Sequence, residues 1–318
     1  MGKQPILVIV GPTASGKTAL AVALAKTYNG EVISADSMQI YKGMDIATAK
    51  PTIEEQQGIP HHLISFVEQN NDFSVADYLK FANEKIHEVS EKGKLPIIAG
   101  GTGLYISSLI DNIKFDEKIS KSTIRDRLVK EAEQYGNQVM FDKLMQVDEE
   151  TASTLHANNI TRIIRALEVY ELTGTKLSEH KIMSRLVESP YNACIIGLNY
   201  SDRKQLYDRI DKRVDIMVEN GLIEEAREVY ENSKLKTAHQ AIGYKELIPY
   251  FNGEASLTQC LDKIKQESRH YAKRQLTWFR RDERINWIVL DENSEIQNIL
   301  EKCKKIIANS NFLWYNNL

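Results

Sequence analysis

Gly11-Pro12-Thr13-Ala14-Ser15-Gly16-Lys17-Thr18, directly after the apolar run Ile6-Leu7-Val8-Ile9-Val10, is the most informative stretch of the chain. It fills every fixed position of the phosphate-loop pattern G-x-x-x-x-G-K-[S/T]. A buried-strand pattern precedes it and a helix-forming run, Ala19 to Lys26, follows it. The glycines let the backbone curl so that successive N–H groups turn inward, and the N-terminus of the following helix adds partial positive charge. Lys17 brings a mobile cation to the outer phosphates, and the Thr18 hydroxyl can hold a magnesium ion. Residues 11–18 therefore predict a site for a diphosphate or polyphosphate. What happens to that group must be read from other residues.

Three more apolar runs, Glu31–Ala35, His62–Phe66 and Leu95–Ala99, read as buried strands, with helical patterns such as Ser74–Ser90 between them. Two later runs, Ala193–Leu198 and Ile285–Leu290, extend the same set. Strands alternating with helices predict an α/β fold, a P-loop NTPase-like parallel sheet flanked by helices. Between residues 113 and 190 the strand pattern stops. Amphipathic helices are predicted there over Lys121–Tyr135, Val139–Gln146, Glu149–His156 and Ile160–Leu172. A helical block inside an α/β chain reads as an insertion, so the catalytic core is expected from 1–112 with 191–318, and an all-helical insertion domain from 113–190.

The chain has 318 residues, a formal net charge of −3, 42% apolar and 27% charged residues. That balance excludes a uniformly basic nucleic-acid coat, so any such contact needs a local patch. Leu257–Arg284 is a candidate: Lys263, Lys265, Arg269, Lys273, Arg274, Arg280, Arg281 and Arg284 alternate with His270, Tyr271, Trp278 and Phe279. Basic and aromatic side chains on one helix suit phosphate contact and base stacking. Asp262, Glu267, Asp282 and Glu283 leave a merely solvated face equally open. Cys194, Cys260 and Cys303 are far apart, with no C-x-x-C spacing, which points to a reducing cytosol. No run is long enough for a membrane span, and nothing calls for an oligomer, so a cytoplasmic monomer is expected. His61 and His62 point to opposite faces of a strand and cannot easily share an ion.

The second strand leads into D-S-M-Q-I-Y-K-G-M-D-I at 36–46. Asp36, at the C-terminal edge of that strand, is placed across from the phosphate loop as a proton acceptor or a group supporting a magnesium ion's ligands, or else as a helix-capping carboxylate with Ser37. No N-K-x-D guanine-reading motif and no strand-ending D-E pair accompany the loop.

Together with the phosphate loop, this block, the G-G-T-G-L-Y turn at 100–105 and R-I-I-R-A-L-E-V at 162–169 resemble the bacterial-type tRNA dimethylallyltransferases (the IPP transferase family). So do D-R-I-D-K-R at 208–213, A-I-G-Y at 241–244 and K-R-Q-L-T-W at 273–278. The resemblance implies transfer of a dimethylallyl group from dimethylallyl diphosphate to the exocyclic amine of the adenosine 3′ of the anticodon in tRNA. Gly11, Pro12, Thr13, Ala14, Ser15, Gly16, Lys17 and Thr18 would hold the diphosphate with magnesium on Thr18, and Arg209 and Arg213 would clamp it. Asp36 would be the general base, and Thr102 would donate to the bridging oxygen of the leaving group. The adenine must be extruded from the anticodon loop. Asp36, Ser37, Met38, Gln39 and Thr102 would receive it. The anticodon stem-loop would lie on Arg125, Thr161, Arg162, Ile163, Ile164 and Arg165, on Gln240, Ala241, Ile242, Gly243, Tyr244 and Lys245, and on Lys273, Arg274, Trp278 and Arg280. Ala47 stands where the family often has Gly, and Ala157 and Asn159 replace its usual Pro and Asp. No Cys/His set follows Cys303, so no zinc finger is expected. A phosphoryl-transferring kinase for a nucleoside or small metabolite accounts for the phosphate loop but for neither the basic helix nor the insertion. A non-catalytic tRNA-binding protein leaves Asp36 and Thr102 without a task.

Overall fold

The computed structural model describes residues 2–113, 123–183, 187–232, 241–291, 294–310 and 312. Six strands, β1 (Gln4–Val10), β2 (Gly30–Ser34), β3 (His61–His62), β4 (Leu95–Gly100), β5 (Tyr191–Tyr200) and β6 (Ile285–Leu290), form one sheet. Its order is β3-β2-β4-β1-β5-β6, and every pairing is parallel. β1 is flanked by β4 and β5, and all five side chains of Ile6–Val10 are fully buried. A strand covered on both faces needs no polar alternation, which is why it reads as one apolar run. Leu7 and Ile9 join the layer packed under α1 (Lys17–Tyr28), whereas Ile6, Val8 and Val10 join the opposite layer.

After α2 (Ile53–Gln56), that opposite layer is closed by α3 (Val75–Glu91) and α4 (Gly103–Ile110). Ser74 caps α3: its side chain accepts the Asp77 N–H while the Asp77 carboxylate takes the Ser74 N–H, so both orphan donors are satisfied. The third strand is shorter than His62–Phe66. Leu63 and Ser65 adopt left-handed backbone, with φ of 59° and 50°, so the extended chain breaks after His62. The two histidines have separate partners. His62 Nε2 meets the buried Glu31 carboxylate at 2.7 Å, and His61 Nδ1 meets the Ile59 carbonyl at 2.8 Å.

The chain divides into two compact units, residues 1–110 with 190–318, and 111–189. The second unit holds only helices among its described residues: α5 (Thr123–Tyr135), α6 (Asn137–Val147), α7 (Glu149–Ser153), α8 (Ile160–Thr173) and α9 (Leu177–Met183). Its core is built from Leu128, Met140, Leu144, Ile163 and Leu167. α8 ends where Gly174 turns left-handed at φ 70°, the C-terminal stop that glycine allows.

In the first unit, α10 (Arg203–Glu219), α11 (Leu222–Glu231), α12 (Ile248–Phe251), α13 (Leu257–Phe279) and α14 (Ile296–Asn309) complete the chain. α13 stops at Phe279, short of Arg284, because the chain turns there into β6. No helix among the described residues is long and apolar enough to cross a membrane. The three cysteines are buried and unpaired.

Candidate active site

The phosphate loop leaves the C-terminal end of β1 as a turn that requires glycine at two points. Gly11 has φ 153°, and a Cβ there would lie 2.7 Å from the Leu198 carbonyl oxygen. Gly16, at φ 85°, precedes α1, whose first turn has neither a side-chain cap nor an acidic residue. The free N–H groups of that turn are thus open to an anion. Ser15 Oγ is buried without a hydrogen-bond partner, an unmet polar group inside the loop that a phosphate oxygen would satisfy.

Three cations brace the loop, Lys17 from within it and Arg213 and Arg209 from α10. Lys17 Nζ donates to the Pro12 carbonyl at 2.7 Å, Arg213 Nη1 to Thr13 Oγ1 at 3.1 Å, and Arg209 Nε to the Ala14 carbonyl at 3.1 Å. Arg209 and Arg213 come from α10, one helical turn apart. Burial, and then the neighbouring Arg213, pull the Lys17 ammonium down to about 7, with Asp36 opposing them. Burial likewise lowers Arg213, again against Asp36. Lys17, Arg213 and Asp36 therefore share one electrostatic environment at the sheet's C-terminal edge.

Asp36 follows β2 by two residues. Its Oδ1 accepts the N–H groups of Met38 at 2.9 Å and Gln39 at 3.3 Å, so it closes the turn at 37–40 instead of capping a helix. Oδ2 takes no hydrogen bond from the described residues and stays available as a proton acceptor. Thr102 lies alongside: its Oγ1 accepts the Ser37 N–H at 3.0 Å, and its hydroxyl faces Ser37 Oγ at 3.3 Å. The loop carrying Asp36 and the G-G-T turn are locked together, because the Thr102 N–H donates to the Ala35 carbonyl and Gly100 sits against Ala35 too closely for any Cβ. Gln39 is engaged internally. Its amide donates to the Thr48 and Ala49 carbonyls at 3.2 Å each and accepts from Ser34 Oγ at 3.2 Å.

Two contributors carried no role in the sequence reading. Gln275, buried on α13, accepts the Thr13 N–H at 2.8 Å and donates to the Gly101 carbonyl at 3.1 Å. Glu225, on α11, accepts the N–H groups of Asp45, Ile46 and Ala47 at 2.7 to 2.9 Å, and the Tyr244 hydroxyl at 2.8 Å. It pins the segment whose carbonyls hold Gln39. Neither residue belongs to a local pattern, since each acts on chain more than a hundred residues away. Only the position of Gln275 within K-R-Q-L-T-W flagged it.

Several RNA-facing assignments need correction. Ile163 and Ile164 are 0% and 7% exposed and form part of the helical unit's core, so only Thr161, Arg162 and Arg165 of that run reach its surface. Ala241, Gly243 and Tyr244 are buried too. Tyr244 is held by Glu225, and Gly243 backs onto Ala47, whose Cβ lies 2.9 Å from where its own would be. Ile242 is half-buried and Lys245 exposed, while Gln240 lies outside the described residues. Arg125 and Arg165 have a structural partner, the buried Glu168 carboxylate, each at 2.7 Å. Lys273, Arg274, Trp278 and Arg280 are exposed on and just after α13. Burial on this helix falls on Ala272, Gln275, Leu276 and Phe279, so Lys273, Arg274 and Trp278 lie on the outer face, while Phe279 packs inside and Tyr271 is half-buried.

A family model described as "IPP transferase" matches residues 39–282. The chain belongs to the IPP transferase family. A tRNA dimethylallyltransferase of Caldanaerobacter subterraneus subsp. tengcongensis is 49% identical over 306 residues, covering 95% of this chain and 97% of the relative. Among solved structures, the tRNA isopentenylpyrophosphate transferase of Bacillus halodurans is 44% identical with a TM-score of 0.71, covering 96% of this chain and 97% of that one. A eukaryotic dimethylallyltransferase described as acting on tRNA superposes with a TM-score of 0.83 at 29% identity, over 98% of this chain and 81% of its own. Membership of the family rules out reading the phosphate loop as that of a small-molecule kinase.

Proposed function

We propose that this IPP transferase moves a dimethylallyl group from its diphosphate to the exocyclic amine of the adenosine 3′ of the anticodon in tRNA, releasing diphosphate. The observation that carries the reading is the convergence of Lys17, Arg213, Asp36 and Thr102 at the C-terminal edge of β1, β2 and β4. In the reaction, the adenine nitrogen attacks the first carbon of the prenyl chain and the carbon–oxygen bond breaks, its electron pair leaving with the diphosphate. The amine's proton passes to Asp36 Oδ2. The open amides of α1, Ser15 Oγ, Lys17 and Arg213 receive the growing negative charge, and the Thr102 hydroxyl donates to the bridging oxygen.

Thr18, half-buried in the first turn of α1 beside the loop, fits a magnesium ion that keeps most of its ligands from phosphate and water. Such an ion, when bound, would neutralise the leaving group further. No cluster of three or more His, Cys, Asp or Glu side chains that could hold a metal occurs among the described residues.

Lys273, Arg274, Trp278 and Arg280 supply phosphate contacts and a stacking surface for the anticodon stem-loop, and Arg125, Thr161, Arg162 and Arg165 supply a second set from the helical unit. Arg125 and Arg165 can serve both Glu168 and a phosphate, since each keeps about a third or more of its side chain exposed. The three buried, unpaired cysteines suit a reducing cytosol; a monomer is proposed.

Incubation of the protein and bulk tRNA with either labelled dimethylallyl diphosphate or labelled ATP separates this reading from phosphoryl transfer. Label must enter tRNA from the prenyl donor alone. Turnover of ATP with unmodified tRNA overturns the reading.

A further inference from the structure

Gln275 occupies a place that the reaction itself does not explain. Its side chain is buried, it comes from α13, and its amide spans two loops that leave different strands. Oε1 takes the Thr13 N–H at 2.8 Å, and Nε2 gives a hydrogen to the Gly101 carbonyl at 3.1 Å. The orientation of the amide is fixed by chemistry: a backbone N–H can only donate and a carbonyl can only accept, so the oxygen must face Thr13 and the nitrogen Gly101. Thr13 belongs to the cup for the leaving group, and Gly101 precedes Thr102. Gly101 carries no side chain for a reason, since a Cβ there would lie 2.1 Å from Gln275 Nε2.

We infer that Gln275 is a positioning residue that sets the Thr102 hydroxyl at a fixed distance from the phosphate loop, so that donation to the bridging oxygen and capture of the diphosphate occur in one geometry. The inference rests on the transfer reading above. Thr102 is already tied to the Asp36 loop through Ser37 and Ala35. Gln275 ties that pair to the cup. A donor displaced by about 1 Å loses much of its effect on a transition state, a scale on which 100-fold rate losses occur.

Three variants and one cycle test this. Gln275→Glu keeps an acceptor for Thr13 but sets an oxygen against the Gly101 carbonyl. Gln275→Met keeps the length and removes both bonds. Gly101→Ala displaces the amide from the other side while leaving α13 intact. Each variant is measured for single-turnover prenyl transfer and for tRNA affinity, in the native background and with Thr102→Ala. The expected result is a loss of about tenfold or more in rate in the native background, with tRNA affinity within twofold. With Thr102→Ala present, the same change should cost less than threefold, because the donor it positions is gone.

An equal rate loss in both backgrounds, or unchanged rates, overturns the inference. Gly101→Ala decides the matter if changes at Gln275 prevent folding. Absence of any transfer by the unaltered protein defeats the underlying reading instead, which keeps the two failures distinct.

Discussion

On the proposed reaction Asp36 has two tasks, one on each oxygen, and substitution can separate them. Asn at this position keeps an acceptor for the Met38 and Gln39 amides and removes the base. Asp36→Asn is therefore expected to slow prenyl transfer by about 100- to 10,000-fold, the usual range for a positioned general base, with tRNA affinity within threefold. Single-turnover transfer and a binding titration check both halves. Lys17 makes a second prediction. Its pKa is lowered from 10.5 to about 7, so at about pH 8 the folded protein holds it mostly neutral whereas the unfolded chain holds it charged. The unfolded state then binds more protons, and this group's contribution to stability increases as pH rises from 7 toward 10.5. A bound diphosphate restores the charge. Calorimetric titration of dimethylallyl diphosphate in buffers of different ionisation enthalpy should show uptake approaching one proton per site near pH 8, falling to about half near pH 7 and to little by about pH 6, and absent in Lys17→Met. Uptake that persists in that variant assigns the proton elsewhere.

Among the elements, the strands were legible and the polar clasps between elements were not. β1, β2 and β4 are buried on both faces, so their composition announces them. The early end of β3 lies in left-handed Leu63 and Ser65, residue types that do not advertise that conformation. α8 shows why a contiguous run transfers poorly: Arg162 and Arg165 face out while Ile163 and Ile164 close the core, because successive helical residues point 100° apart. Glu225 is the clearest element-scale clasp, gathering three backbone N–H groups of one segment. Glu225→Gln can satisfy fewer of them and turns an amide donor toward backbone donors. It should lower stability by about 1 to 3 kcal/mol in urea unfolding. Tyr244→Phe, which removes one of the four donor groups, should cost less. Equal stability of Glu225→Gln and the native protein removes the clasp.

For the whole molecule, a net charge of −3 coexists with a basic, aromatic outer face on and just after α13. Affinity for tRNA should depend steeply on salt. Lys273→Ala or Arg280→Ala should each flatten the slope of log K against log salt by about 0.7 to 0.9, while leaving discrimination among tRNAs largely intact. An unchanged slope in both variants moves the RNA to another surface. The two compact units divide where the strand pattern ceases between β4 and β5, and the phosphate loop stands out in the sequence because its glycines and lysine occur at fixed spacing. Thr102, Gln275 and Arg213 reach that site from three other parts of the chain, and only the fold brings them to it.

The central claim is that this cup holds a leaving group, so the bond that breaks lies between carbon and oxygen. A heavy-oxygen label in the bridging position of dimethylallyl diphosphate tests that directly when the products of turnover with tRNA are weighed. The account predicts the label wholly in inorganic diphosphate and none in any prenyl product. Label retained on the prenyl chain, with phosphorus–oxygen cleavage, would contradict it.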